Sequence, residues 1–142
     1  MLEYILDTNI CIYIIKQKPP EVLDKFSTLK PGAVAMSLVT HAELLFGANR
    51  SKQSEQSHKI LQELVTIIPS LTMEASVADH YADIRADLTS KGNLIGNNDL
   101  WIAAHARALD KILVSNNMKE FSGVNGLKLE NWVAITTISS TT

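Results

Sequence analysis

At 142 residues the chain has the length of one domain, and its 46% apolar and 20% charged composition is that of an ordinary globular protein. Thirteen basic against fifteen acidic side chains, a net charge of −2, exclude a nucleic-acid binder that works through a basic surface alone. Cys11, the one cysteine, excludes an internal disulfide framework and fits a reducing compartment. Residues 1–7 lack the pattern of a secretory leader, and the apolar run 10–15 is too short to cross a bilayer. A cytoplasmic protein without membrane attachment is expected.

Residues 2–6 read as a short buried strand that stops at Asp7-Thr8-Asn9, and 10–16 as an apolar-rich helix ended by Lys18-Pro19-Pro20. Proline in a first turn then suits a second helix over 21–26. Pro31-Gly32 marks a turn before a strand at 33–38. A third helix is expected over 40–48 and a fourth over 51–66, with Ile60, Leu61, Leu64 and Val65 at helical spacing. Residues 67–71 read as a short strand whose Pro69 places it at an edge. Val77, Tyr81, Ile84 and Leu88 mark one face of a long helix over 74–90, stopped near Gly92. A helix over 99–109, a strand over 111–115, a turn of helix at 118–121 and a last strand at 127–132 complete the order.

Strands alternating with helices imply an α/β domain with a mainly parallel sheet and helices on both faces. One domain is expected over 1–134, with the Ser/Thr-rich residues 135–142 as a flexible tail. Sheets of this kind bind ligands beyond the carboxyl ends of their strands. Asp7 follows the first strand there, and Glu43 lies in the first turn of the helix after the second. Asp99 opens a later helix, and Asn117 follows the strand at 111–115. If the strands are parallel, all four share one crevice.

Carboxylate and amide oxygens suit a hard divalent cation, and two carboxylates suffice to hold Mg²⁺. A third could orient or deprotonate an attacking water. Such a pocket repels phosphate unless a cation occupies it, so a nucleic-acid substrate here requires a metal. Each residue also has a purely structural use. Asp7 or Thr8 suits a helix cap, Thr40 with Glu43 fits a capping box, and Asp99 complements a helix dipole.

Several blocks carry a resemblance. They are Leu6-Asp7-Thr8-Asn9, then Ser37 to Leu44 with Gly47-Ala48, and Ile95 to Ala106. Leu113 to Asn117 with Glu120-Phe121 follows, and Leu127 to Trp132 closes the match. In order and spacing the chain resembles a PilT N-terminus (PIN) domain, and within that group a VapC toxin. The resemblance covers nearly everything but the tail and implies a three-layer α/β/α fold. It implies an endoribonuclease dependent on Mg²⁺ or Mn²⁺, with Asp7, Glu43 and Asp99 as catalytic and metal-holding residues. It also implies an RNA substrate, with tRNA favoured, a cognate VapB-type antitoxin, and a homodimer. Many members carry an acidic residue where this chain has Asn117, a weaker metal ligand that brings no charge. Glu120 could substitute if its short helix turns it inward.

Two other readings remain: a catalytically silent PIN-like module, resting on Asn117, and an aspartyl-phosphate phosphotransfer domain with Asp7 as acceptor. His41 and His105 lack zinc-site spacing. Asp79, Asp83 and Asp87 read as a solvated acidic stripe. Trp101, Trp132 and Cys11 read as core residues, and Arg85, Lys91, Lys16 and Lys18 as surface charges that could reach phosphate. No single helix shows an exposed apolar patch by sequence.

Overall fold

In the computed structural model, which describes residues 1–133, the first apolar run is β1 (Tyr4–Leu6), buried at the centre of a five-stranded sheet. Its neighbours are β2 (Val34–Ser37) and β4 (Ile112–Val114), while β3 (Ser70–Leu71) and β5 (Leu129–Glu130) form the edges. The order is β3-β2-β1-β4-β5 with every pair parallel, Tyr4 lying opposite both Val34 and Ile112. The tail expected at 135–142 lies outside the described residues.

Alternation along the strands builds two cores. Tyr4, Leu6, Val34, Met36 and Val114 pack with α1 (Thr8–Lys16), α2 (Pro20–Ser27) and α4 (Ser54–Ile67), where Trp132 meets Tyr4 edge-on at 5.4 Å. Ile5, Ala35 and Leu113 pack with α5 (Ser76–Ser90), α6 (Asn97–Leu109) and α7 (Met118–Phe121). Burial on both faces explains why these strands read as unbroken apolar runs. The three-layer α/β/α architecture expected from the sequence is therefore present, and Pro69 does precede an edge strand.

The third helix differs from expectation. α3 (Leu38–Arg50) starts directly after β2 because the Ser37 hydroxyl accepts the Val39 N–H at 3.1 Å and caps it. Thr40 is thus already inside the helix and wholly buried, and Glu43 stands in the second turn. The capping-box role for Thr40 and Glu43 is overturned, since the cap is taken. Ser37 also meets His105 Nδ1 on α6 at 2.8 Å, a buried tie across the sheet end.

The acidic stripe on α5 is largely paired. Arg107 reaches Asp83 at 2.7 Å, His80 Nδ1 at 2.8 Å and the Asn125 carbonyl at 2.9 Å, while Lys91 pairs with Asp87 at 2.8 Å. Asp79 and Asp83 nevertheless stay exposed to solvent, as the spacing implied. α3, by contrast, leaves Leu38, Leu45 and Phe46 exposed on its outer side, a patch the sequence pattern did not announce.

Ser37→Ala removes a helix cap and the partner of a buried histidine together. It should lower unfolding free energy by about 1–3 kcal/mol in urea titration. A loss near zero would show that neither hydrogen bond stabilises the fold.

Candidate active site

The chain leaves β1 toward β2 and β3, then returns on the other side of β1 as β4, so the order reverses between β1 and β4. The crevice at that reversal is where an open parallel sheet binds ligands. Asp7 is the first residue past β1, and its N–H donates to the Val114 carbonyl at 3.0 Å. Its Oδ1 accepts the Ile10 N–H at 2.9 Å, which caps α1, and Ser115 adds a side-chain hydrogen bond. The capping role and the position in the crevice thus coexist. Burial pushes the Asp7 carboxyl above its ordinary pKa, Glu43 adds repulsion, and the bonds from Ser115, Ile10 and Asn9 pull the other way.

Glu43 reaches the crevice from α3. Thr8 Oγ1 donates to its Oε1 and the Asn98 amide to its Oε2 at 3.1 Å, so both oxygens are held by neutral donors. Asp99 comes from the first turn of α6. Its carboxyl is pushed up to about 7, first by burial, then by a hydrogen bond to Glu120 and the charges of Glu120, Glu43 and Asp7. Glu120 on α7 does turn inward. The Asn117 amide donates to Glu120 Oε2, and the Asn117 N–H donates to Ser115 Oγ at 2.8 Å. Asn117 therefore anchors the carboxylate that makes up for its missing charge.

Asp7, Glu43 and Asp99 are brought together as the sequence implied, and Glu120 joins them. The described ion pairs involve Lys91, Arg107 and Lys128, none with these four carboxylates. Among the described residues no three His, Cys, Asp or Glu side chains are spaced to grip one ion together. A wholly oxygen donor set is of the type that hard cations prefer over soft ones.

Other candidates lie apart from this cluster. His105 is buried in the core rather than on a flank, and burial lowers its pKa. Cys11 is buried as expected, its thiol pushed up by burial and by Asp7. Trp101 stacks on Tyr81 at 3.9 Å, and Arg85 donates to the Tyr81 hydroxyl, which in turn donates to Asn97 at the start of α6. Lys91 is engaged with Asp87, whereas Lys16 lines an apolar groove that ends at Glu43. Lys18 is exposed beyond α1, and half-buried His41 lies near His58 without a third ligand.

The PIN domain family model matches residues 4–127. Ribonuclease VapC2 of Haemophilus influenzae is 44% identical over 133 residues, 94% of this chain and 100% of that protein. The tRNA(fMet)-specific endonuclease VapC of Shigella flexneri is 42% identical over 93% of this chain and 99% of its own. Among solved structures, VapBC from Salmonella typhimurium bound to DNA superposes with a TM-score of 0.88 at 33% identity, covering 94% of this chain and 100% of that one. VapBC2 from Rickettsia felis, bound to a DNA fragment from its promoter, gives 0.86 at 38%, covering 93% and 100%. Fold, length and sequence agree over nearly the whole chain, which belongs to the PIN domain family and, within it, to the VapC ribonucleases.

Proposed function

We propose that this chain is a toxin that hydrolyses phosphodiester bonds of tRNA, with Asp7, Glu43, Asp99 and Glu120 as its catalytic and metal-holding carboxylates. The observation that carries the reading is the gathering of these carboxylates without a cationic side chain, costly enough to push Asp99 up to about 7. A protein gains nothing in stability from such repulsion, so a cation is the natural occupant. Asp7 and Asp99 would hold Mg²⁺ or Mn²⁺ directly, with Glu43 and the Asn117 carbonyl reaching it through water. When bound, the ion supplies an acidified water and offsets charge on the scissile phosphate.

The chain's own side chains do the positioning. The cap to α1 keeps Asp7 from swinging, and Thr8 and Asn98 hold Glu43 where it can take a proton from a water in hydrogen-bond reach. Asn117 fixes Glu120 against Asp99. Glu120 supplies the charge whose absence favoured a silent module. Asp7, with 5% exposure and its oxygens in use, suits a fixed ligand better than a phosphoacceptor.

tRNA is favoured because relatives from Shigella flexneri and Salmonella typhimurium, 42% and 34% identical, are named tRNA(fMet)-specific endonucleases. The VapBC complexes among the solved relatives support a VapB-type antitoxin as partner. Exposed Leu38, Leu45 and Phe46 on α3 support pairing with a second copy. Among the described residues no helix is long and apolar enough to cross a membrane, and action in the cytoplasm, where tRNA resides, follows from the substrate.

Purified protein should cut total tRNA into discrete fragments with Mg²⁺ or Mn²⁺ and none with EDTA, on denaturing gels. Asp7→Asn and Asp99→Asn should abolish the fragments while circular dichroism stays native. Fragments that persist in both variants would sink the site. Glu120→Gln should cut kcat by roughly 10- to 100-fold, the usual cost of disturbing groups around a metal.

The raised Asp99 pKa fixes a pH dependence. Without metal the folded chain keeps a proton that the unfolded chain releases between pH 3.8 and about 7, so stability falls as pH rises through that window. Asp99→Asn should therefore gain stability over wild type increasingly from pH 5 to pH 8. The expected gain is about 1–2 kcal/mol at the top, discounted because Asp99 is only partly buried. Saturating Mg²⁺ should erase the difference; equal melting curves at pH 8 without metal would refute the assignment.

A further inference from the structure

A cavity of about 520 Å³ opens beside the carboxylates, between the turn that follows α5 and the α7 segment. Its lining is mixed: Leu94 and Ile95 give an apolar face, Asn93 and Ser122 give hydrogen-bonding groups, and Lys119 brings an ammonium. Glu120 belongs to both the cavity and the carboxylate cluster, which puts the two in direct continuity. Gly123 lies across from buried Leu88, where an added Cβ would come within 3.8 Å of Leu88 Cδ2, so the floor is apolar.

Three features need an occupant. Leu94 is 51% exposed, an apolar surface left open to solvent at the cavity. Lys119 makes no ion pair among the described residues, although Glu120 lines the same cavity. The volume falls in the range of about 300–1,000 Å³ typical of small-ligand sites. A nucleotide matches all three: a flat apolar base, polar base edges and a phosphate. Unstacked bases of single-stranded RNA loops are recognised by such a combination of stacking and edge contacts.

We propose that this cavity is a nucleotide subsite that takes one base of the RNA strand next to the cut bond, a proposal that rests on the ribonuclease reading above. Leu94 and Ile95 cover the base face, the Asn93 amide and Ser122 hydroxyl contact its edge, and Lys119 meets the adjoining phosphate. The subsite selects the nucleotide flanking the cut, and its α7 wall keeps the bound strand against Glu120. Lys119 is the charge that draws phosphate toward an otherwise repelling pocket.

The test combines kinetics with cross-linking on the full chain. In tRNA cleavage, Leu94→Ala and Asn93→Ala should raise KM several-fold and broaden the choice of nucleotide beside the cut, read by sequencing fragment ends. Lys119→Ala should raise KM and lower the slope of log KM against log salt by roughly 0.7, the loss of one phosphate contact on a single strand. Lys30→Ala, at the opposite end of the sheet, should change none of these. Separately, tRNA transcribed with 4-thiouridine should cross-link on irradiation to residues 91–96 or 118–123 of the Asp99→Asn protein. Unchanged KM and cut choice in all three cavity variants, or cross-links only elsewhere, would overturn the subsite. Cross-links at the cavity with no cleavage by wild type would uphold the subsite and refute the nuclease reading instead.

Discussion

Like-charge repulsion among Asp7, Glu43, Asp99 and Glu120 is the constraint around which the carboxyl end of the sheet is built. Among the described residues no lysine or arginine forms an ion pair with them. Three of the carboxylates are pinned by neutral donors instead: Asp7 by Ser115 and the start of α1, Glu43 by Thr8 and Asn98, Glu120 by Asn117. Asp99 has no such donor among the described residues, and it is the one whose pKa climbs to about 7. Neutral donors fix position without cancelling charge, which leaves the crevice negatively charged.

Holding repelling groups together requires a stiff frame. The parallel ladder through β2, β1 and β4 sets the spacing of three of the segments that bear them, and both faces of that ladder are sealed by apolar side chains. The Ser37 hydroxyl then joins the start of α3 to His105 of α6. Those helices carry Glu43 and Asp99, so one buried hydroxyl holds two of the charged elements at a set separation. Close-packed interiors pass such constraints on with little slack.

Much of this was legible in the sequence because the signals were local. Apolar runs with turn residues between them defined the strands, and Asp7 and Asp99 followed from sitting at a strand end and a helix start. Glu43 was legible as a residue but misplaced within its helix, because Ser37 outcompeted Thr40 for the cap. The orientation of Glu120 was not legible, since a four-residue helix has no periodicity of its own and the Asn117 contact decides it. The pairing of exposed Asp83 was not legible, because its partner Arg107 lies 24 residues away in sequence. The cavity under Leu94 escaped notice for a similar reason: two turns form it, and only the folded chain brings them together.

Asp7 and Asp99 serve the same crevice with different obligations to the rest of the molecule. Asp7 begins a helix, so most replacements other than asparagine, serine or threonine also remove a cap. Asp99 caps nothing and bears the greatest electrostatic load, so its loss relieves the fold. A lineage that escapes a harmful nuclease by point mutation therefore has an unequal choice. Changes at position 99 leave an intact body that a partner can still grip, while most changes at position 7 discard both activity and structure. Silent descendants of this chain should be recognisable by an aspartate kept at 7 beside a substitution at 99.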